Sequence, residues 1–127
     1  MAYIYYNPNP LDETVDDCVV RAICILTDTD WYYTYTQLSI EGFIYGNWGN
    51  YNKVWSSYLR KLGYIRMIIP NTCPDCYSVK DFCKEYPKGR YLLATGSHTV
   101  AVIDGNYYDT WDSGNEVPIY YWTKRLN

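Results

Sequence analysis

GSHTVAVIDGNYYDTW, the sequence of residues 96–111, predicts a tight β-hairpin. An apolar run leads into an Asp-Gly pair, which two-residue hairpin turns favour, and an aromatic run follows. His98, the only histidine among the 127 residues, opens the first strand, and Asp109 lies late in the second. Because paired strands are about 4.8 Å apart, the two side chains are expected to be neighbours. A carboxylate beside an imidazole orients it as a base.

Length and composition predict a single globular domain over residues 1–127. Hydrophobic residues make up 48% and charged residues 20%, which is typical of a folded chain rather than a disordered one. The net charge is −3 and no basic cluster occurs, so no nucleic-acid partner is expected. There is no signal-peptide pattern and no membrane-spanning apolar run, which predicts a cytoplasmic protein without membrane association.

Helices are predicted first in the chain. Asp16 and Asp17 favour a helix start, so a helix is expected from Cys18 to Leu26, apolar nearly all round and therefore packed on most sides. A second helix from Trp31 to Gly42 follows, and a third ends before Gly63.

Strands dominate the second half of the chain. They are predicted at 64–69, 91–95 and 117–123 in addition to the hairpin, with a short helix at 79–86. Pro118 places the last strand near a sheet edge, and a Tyr/Ile run at the N-terminus predicts another edge strand. Helices followed by antiparallel strands indicate the α+β class.

Cys18 is the candidate nucleophile. It falls in the first helical turn, where the helix dipole favours a thiolate. The adjacent Asp16 and Asp17 disfavour a thiolate, and Arg21 either assists the thiol or pairs with one of these acids. A buried structural cysteine is the alternative interpretation, and it suits Cys24 better.

The orienting acid has two candidates. Asp109 and Asp112 both follow the aromatic strand, and Asp112 has the alternative role of capping the turn that it begins. The register of the hairpin decides between them, because a slip of one residue reverses the faces of all side chains.

The five cysteines predict free thiols in a reducing compartment, because their number is odd and no secretion signal precedes them. Cys73 and Cys76 form a CxxC pair within a predicted turn. A structural or incidental role ranks first for this pair, a redox role second and zinc binding third, since zinc needs a second ligand pair. No metal or other cofactor is expected.

These residues resemble the papain-like cysteine peptidases. Asp-Cys opening a buried helix, a late His-Thr-Val-Ala-Val-Ile strand and a Tyr-Asp-Thr-Trp segment carry the resemblance. It implies N-terminal helices, with the nucleophile at the start of the central helix, packed on a C-terminal antiparallel β-sheet. It also implies that Cys18 is the nucleophile, His98 the base and Asp109, rather than Asp112, the orienting acid, with Trp111 shielding the bond between His98 and the acid.

The whole chain is also similar to small uncharacterised proteins of tailed bacteriophages and of prophages in gut bacteria. The segments that carry this similarity are NPNP, DCVVRAI, PNTCPDC and YDTWDS. The similarity implies a viral protein that acts in the host bacterial cytoplasm.

One position departs from the papain-like pattern. The family has an oxyanion-hole Gln six residues before the nucleophile, where this chain has Asp12. An ionised carboxylate cannot donate a hydrogen bond to an oxyanion. Asn9 is the candidate replacement, with the backbone N–H of Cys18 as the second donor.

Two functions are predicted. The first is a thiol hydrolase, such as a peptidase or deamidase, that forms a Cys18 thioester with His98 as base and Asp109 orienting it. Its substrate would be a peptide or protein, including a host bacterial protein. The alternative is a non-catalytic papain-like scaffold that binds a host protein through Tyr- and Trp-rich loops near Trp48 and Tyr51. The 17 tyrosines motivate this alternative, although Tyr in place of core Phe is the favoured interpretation.

Overall fold

The computed structural model describes residues 2–13 and 15–124, and these ranges form a six-stranded sheet with helices on both faces. The helices are α1 (Cys18–Thr27), α2 (Trp31–Tyr45), α3 (Asn52–Lys61) and α4 (Val79–Glu85). The strands are β1 (Ala2–Tyr5), β2 (Tyr64–Ile68), β3 (Arg90–Ala94), β4 (Thr99–Ile103), β5 (Asn106–Asp109) and β6 (Tyr120–Lys124). The sheet order is β1-β5-β4-β3-β6-β2, with β1 and β5 parallel and the other neighbours antiparallel. The predicted α+β class is confirmed.

One core lies between the sheet and the first three helices. α1 packs on β3 and β4 with one side and on α2 with another, which explains why its sequence is apolar nearly all round. Trp55 of α3 and Trp122 of β6 meet edge to face in this core, with ring centroids 6.0 Å apart. Apolar packing against the sheet and against α2 therefore fixes the position of α1, in addition to its polar contacts.

The second core lies on the opposite face, beneath α4. Phe82 is fully buried there, with Tyr86, Tyr91 and Tyr121 around it at ring-centroid distances of 4.4 to 5.2 Å. These tyrosines occupy core positions in the way that Phe would, as the favoured interpretation of the composition predicts. Other aromatic residues, on α2 and in the loop after it, are exposed.

The predicted hairpin is formed by β4 and β5. Asp104 and Gly105 make the two-residue turn. Their φ values of 50° and 78° place both residues in the left-handed backbone conformation. This geometry matches the right-handed twist of the paired strands. It also fixes the register, in which Val102 lies opposite Tyr107. Asp109, the last residue of β5, therefore lies at the same end of the hairpin as the start of β4.

Two predictions about strands and cysteines are wrong. The last strand begins at Tyr120, beyond Pro118, and it lies between β3 and β2 rather than near an edge. Pro118 is outside the strand, so its missing N–H costs the sheet no hydrogen bond. Cys73 and Cys76 are not free thiols but form a disulfide, because the turn brings their Cα atoms to 4.1 Å.

The N-terminal strand β1 lies at a sheet edge, as predicted. Within the described ranges, none of the helices combines the length and the apolar character that crossing a bilayer requires.

Substitution of Gly105 by Ala is expected to destabilise the protein by about 1–2 kcal/mol, because an L-residue is disfavoured at φ 78°. The added Cβ would also lie 3.3 Å from the Cys83 carbonyl oxygen and from Pro87 Cα. The free energy of unfolding in urea measures this effect. Gly96→Ala is the control: no atom lies within 4 Å of its Cβ, and a change below about 0.5 kcal/mol is expected. Equal losses in the two variants would contradict the role given to the Asp-Gly turn.

Candidate active site

Cys18 is half-buried at the first position of α1, where it lines a cavity of about 170 Å³. We call this cavity the cleft. The first N–H groups of an α-helix lack partners within the helix. Asp17, which precedes Cys18, does not cap them with its side chain. The thiol therefore lies at the positive end of a helix dipole, an environment that favours a thiolate.

His98 is placed in the same cleft by a tight turn between β3 and β4. The backbone N–H of Thr95 donates to the carbonyl oxygen of His98 at 2.8 Å, and Thr95 Oγ1 accepts from the N–H of His98 at 3.0 Å. Gly96 and Ser97 form the tip of this turn. Its shortness holds the histidine backbone directly at the start of β4.

The carboxyl group of Asp109 forms a hydrogen bond with the imidazole of His98. Asp109 is 3% exposed, and its Oδ2 lies 2.6 Å from His98 Nε2. The same oxygen accepts from Ser113 Oγ at 2.7 Å, while Oδ1 accepts from the Thr110 N–H at 2.8 Å. Arg21 Nη2 lies 3.6 Å from Oδ1. Since Nε2 of His98 is occupied by Asp109, Nδ1 is the ring nitrogen that remains for Cys18.

Arg21 connects this carboxylate to the helix that carries the thiol. Its Nη1 pairs with Asp17 Oδ1, which settles the sequence alternative between Asp16 and Asp17 in favour of Asp17. Asp17 Oδ2 also accepts from Trp31 Nε1 at 3.0 Å. The Asp17 charge is thereby compensated, which removes much of its expected opposition to a neighbouring thiolate.

The pKa values of the thiol and the imidazole are displaced in opposite directions. Burial alone raises the pKa of Cys18, but hydrogen bonding with His98 and Thr99 outweighs it and lowers the pKa below its ordinary value. Burial alone lowers the pKa of His98, but hydrogen bonds with Asp109 and Cys18 outweigh it and raise the pKa to about 9. Both shifts are in the direction that favours transfer of the thiol proton to the imidazole.

Trp111 and Asp112 lie beside these groups with different roles. The Trp111 ring centroid is 4.9 Å from that of His98, and the indole, 44% exposed, covers the imidazole as the resemblance implies. Asp112 Oδ1 accepts from Tyr107 Oη at 2.5 Å and from the Gly114 N–H at 3.1 Å. Asp112 therefore caps a turn, and Asp109 is the acid that the structure brings to His98.

Asn9, the predicted oxyanion donor, is not among the described residues that line the cleft. Its Oδ1 instead accepts from the Leu11 N–H at 3.0 Å, because the Asn-Pro-Asn-Pro segment folds into a local turn. Asp12 is exposed and accepts from Asn7 Nδ2 at 3.3 Å. Neither residue lines the cleft that holds Cys18, so the structure does not support Asn9 as an oxyanion donor.

Asn52 was missed by sequence reasoning. It is the first residue of α3 and lines the cleft opposite the start of α1. Its Oδ1 accepts from Trp55 Nε1 at 3.1 Å. Because an indole N–H only donates, this bond fixes the orientation of the amide and leaves Nδ2 as the free donor. An Asn three residues before a Trp at a helix start is the only sequence signal, and it says nothing about a cleft.

The two other free thiols are unsuited to chemistry. Burial raises the pKa values of Cys24 and Cys83 to about 11, and both side chains are almost fully buried. Among the described residues, no group of three or more His, Cys, Asp or Glu side chains is arranged to hold a metal ion.

Comparison of the chain with protein-family models, with curated proteins and with solved structures gave no match. Function must therefore be inferred from the side chains themselves.

Cys18 is expected to react with iodoacetamide at neutral pH at least about tenfold faster than Cys24 and Cys83, because reactivity follows the thiolate fraction and access. Because its pKa is lowered, the rate for Cys18 should rise and level off at a lower pH than the rates for the two buried thiols, whose pKa values are about 11. Peptide mass spectrometry without reductant, over a range of pH, measures these rates.

His98→Ala is the informative variant for this measurement. Loss of the hydrogen bond to the sulfur should move the Cys18 profile to higher pH and slow the reaction at neutral pH. Equal, slow labelling of all three free thiols in the unsubstituted protein would contradict the assignment of Cys18 as an activated nucleophile.

Proposed function

We propose that the chain is a thiol-dependent hydrolase of papain-like arrangement, which acts on a peptide or protein by acyl transfer. The observation that carries this proposal is that Cys18 and His98 line one cleft and that His98 Nε2 lies 2.6 Å from Asp109 Oδ2. A nucleophile, a base and an orienting acid stand in that order, and their pKa values are shifted as acyl transfer requires.

The chemistry follows from the protonation state of this pair. The Cys18 thiolate attacks the substrate carbonyl carbon, a C–S bond forms, and the carbonyl π electrons move to the oxygen. The imidazolium of His98 gives its proton to the departing amine or alcohol as the scissile bond breaks, which leaves a thioester. His98 then takes a proton from water, the resulting hydroxide attacks the thioester, and the cysteine leaves. Asp109 accepts a hydrogen bond from the imidazolium and stabilises it.

The negative oxygen formed in each attack requires hydrogen-bond donors. The backbone N–H of Cys18 is one donor, since it belongs to the unpartnered first turn of α1. The Nδ2 group of Asn52 is the second donor, because it lines the same cleft and its orientation is fixed by Trp55. Asn52 thus takes the role for which the sequence offered Asn9.

The papain-like arrangement is supported by position as well as by residue type. The thiol begins a buried helix that packs on the sheet, the histidine begins a strand, and the acid ends the neighbouring strand. Trp111 covers the histidine. Origin from a bacteriophage and action in a host cytoplasm remain predictions of the sequence similarity.

An acyl-enzyme should be detectable with p-nitrophenyl acetate. We expect a burst of nitrophenolate and an acetyl group on the peptide that contains Cys18, followed by slow turnover. Cys18→Ala should abolish both, and His98→Ala should slow acylation by about 100-fold or more. Acetylation spread over lysines, without a burst, would contradict the hydrolase. It would favour the non-catalytic scaffold, especially if Cys18→Ala still retained a protein from a bacterial lysate.

Asn52→Asp is expected to slow acylation by on the order of 100-fold, because it keeps the acceptor for Trp55 Nε1 and removes the donor to the oxyanion. The rate at which iodoacetamide alkylates Cys18 should change far less, because this reaction forms no oxyanion. Asn50→Asp is the matched control, since Asn50 lines the same cleft and the substitution adds the same charge. Equal effects of the two substitutions would show that charge, and not a lost donor, is responsible.

A further inference from the structure

A second and larger cavity, of about 820 Å³, lies on the other side of the N-terminus of α1. We call it the aromatic groove. Its lining is largely apolar and includes Val20, Trp31, Leu38, Phe43 and Trp48. Of these, Phe43 is 88% exposed and Trp48 is 76% exposed, so neither contributes to the core. Large exposed aromatic side chains around a concavity are typical of a binding site.

The wall of this groove is held rigidly. A Cβ on Gly42 would lie 2.3 Å from the carbonyl oxygen of Asn47, and one on Gly49 would lie 3.0 Å from Leu38 Cβ. The N–H of Asn47 also donates to the Gly42 carbonyl oxygen at 2.8 Å. The loop therefore packs directly on α2 through Asn47 and Gly49. Trp48 lies between these two contacts, and its side chain is exposed.

The aromatic groove lies next to the cleft. Asp16 and Asn50 line both cavities, and the consecutive residues Asp17 and Cys18 line the groove and the cleft respectively. A peptide whose carbonyl group reaches the Cys18 sulfur would therefore have a neighbouring side chain close to the groove. Asp16 is exposed at this junction and carries a charge that repels carboxylates.

We propose, on the basis of the proposed hydrolase, that the aromatic groove determines substrate specificity by binding a large aromatic or aliphatic side chain next to the attacked carbonyl. The apolar lining binds the side chain, and Asp16 excludes an acidic residue at the same position. The substrate class is thus a peptide or protein with an apolar residue beside the scissile bond.

Three chloroacetamides that differ only in the N-substituent test this proposal: phenethyl, hydroxyethyl and carboxyethyl. We expect Cys18 to react about tenfold faster with the phenethyl compound than with the hydroxyethyl compound, because the phenyl ring leaves water on binding. The carboxyethyl compound should react more slowly than either. Second-order rate constants for labelling of Cys18, measured by mass spectrometry, give the ratios.

Variants on α2 provide a matched comparison. Phe43→Ala should reduce the ratio of phenethyl to hydroxyethyl rates to within about twofold, as should Trp48→Ala. Ile44→Ala should leave the ratio unchanged, because Ile44 is exposed on the same helix but does not line the groove. An unchanged ratio in Phe43→Ala and in Trp48→Ala would overturn the proposal.

A measurement without thiol chemistry separates this proposal from the proposed function. On the Cys18→Ala protein, saturation-transfer NMR should detect N-acetyl-phenylalanine amide but not N-acetyl-glycine amide, and the signal should be lost on adding Phe43→Ala. Selective binding together with an unreactive Cys18 would overturn the hydrolase and support the groove as a site for apolar side chains. A reactive Cys18 with equal rates for all three compounds, and no binding of the phenylalanine amide, would overturn the groove and leave the hydrolase standing.

Discussion

The buried carboxyl group of Asp109 is the group on which the arrangement of the site depends. A buried carboxylate costs several kcal/mol unless hydrogen bonds and an opposite charge compensate it. Here the compensating groups come from four residues in three segments of the chain: His98 before β4, Thr110 and Ser113 after β5, and Arg21 on α1. Satisfying one side chain therefore fixes the hairpin end, the following turn and the nucleophile helix relative to one another.

Arg21 extends this constraint from the reacting groups to the aromatic groove. The guanidinium lies between Asp17 and Asp109, and Asp17 also binds the indole N–H of Trp31, which lines the groove. A continuous polar line thus runs from the groove wall to the acid behind His98.

The sequence predicted those parts of the site that local patterns control. The hairpin pattern placed an acid near His98, and paired acids marked the helix start at Cys18. The choice of Asp109 over Asp112 came from the papain-like resemblance and not from the hairpin. The remaining parts depend on contacts distant in sequence. No local sequence pattern shows that β2 pairs with β6, that Asn52 lines the cleft, or that Asp109 is the second partner of Arg21. The Asn9 prediction did not foresee that the side-chain oxygen of Asn9 accepts a hydrogen bond within a local turn.

Stability alone does not account for the buried polar cluster. Well-packed apolar side chains in place of a buried ion pair are often as stabilising or more so, and an exposed aromatic surface for binding needs no ionised groups beneath it. The cluster does supply what acyl transfer needs, since it raises the pKa of His98 and lowers that of the adjacent thiol against the effect of burial. A scaffold that only bound a partner would carry the cost of these charges without using the thiolate they generate. These charges are therefore an argument for the proposed hydrolase rather than for the non-catalytic scaffold.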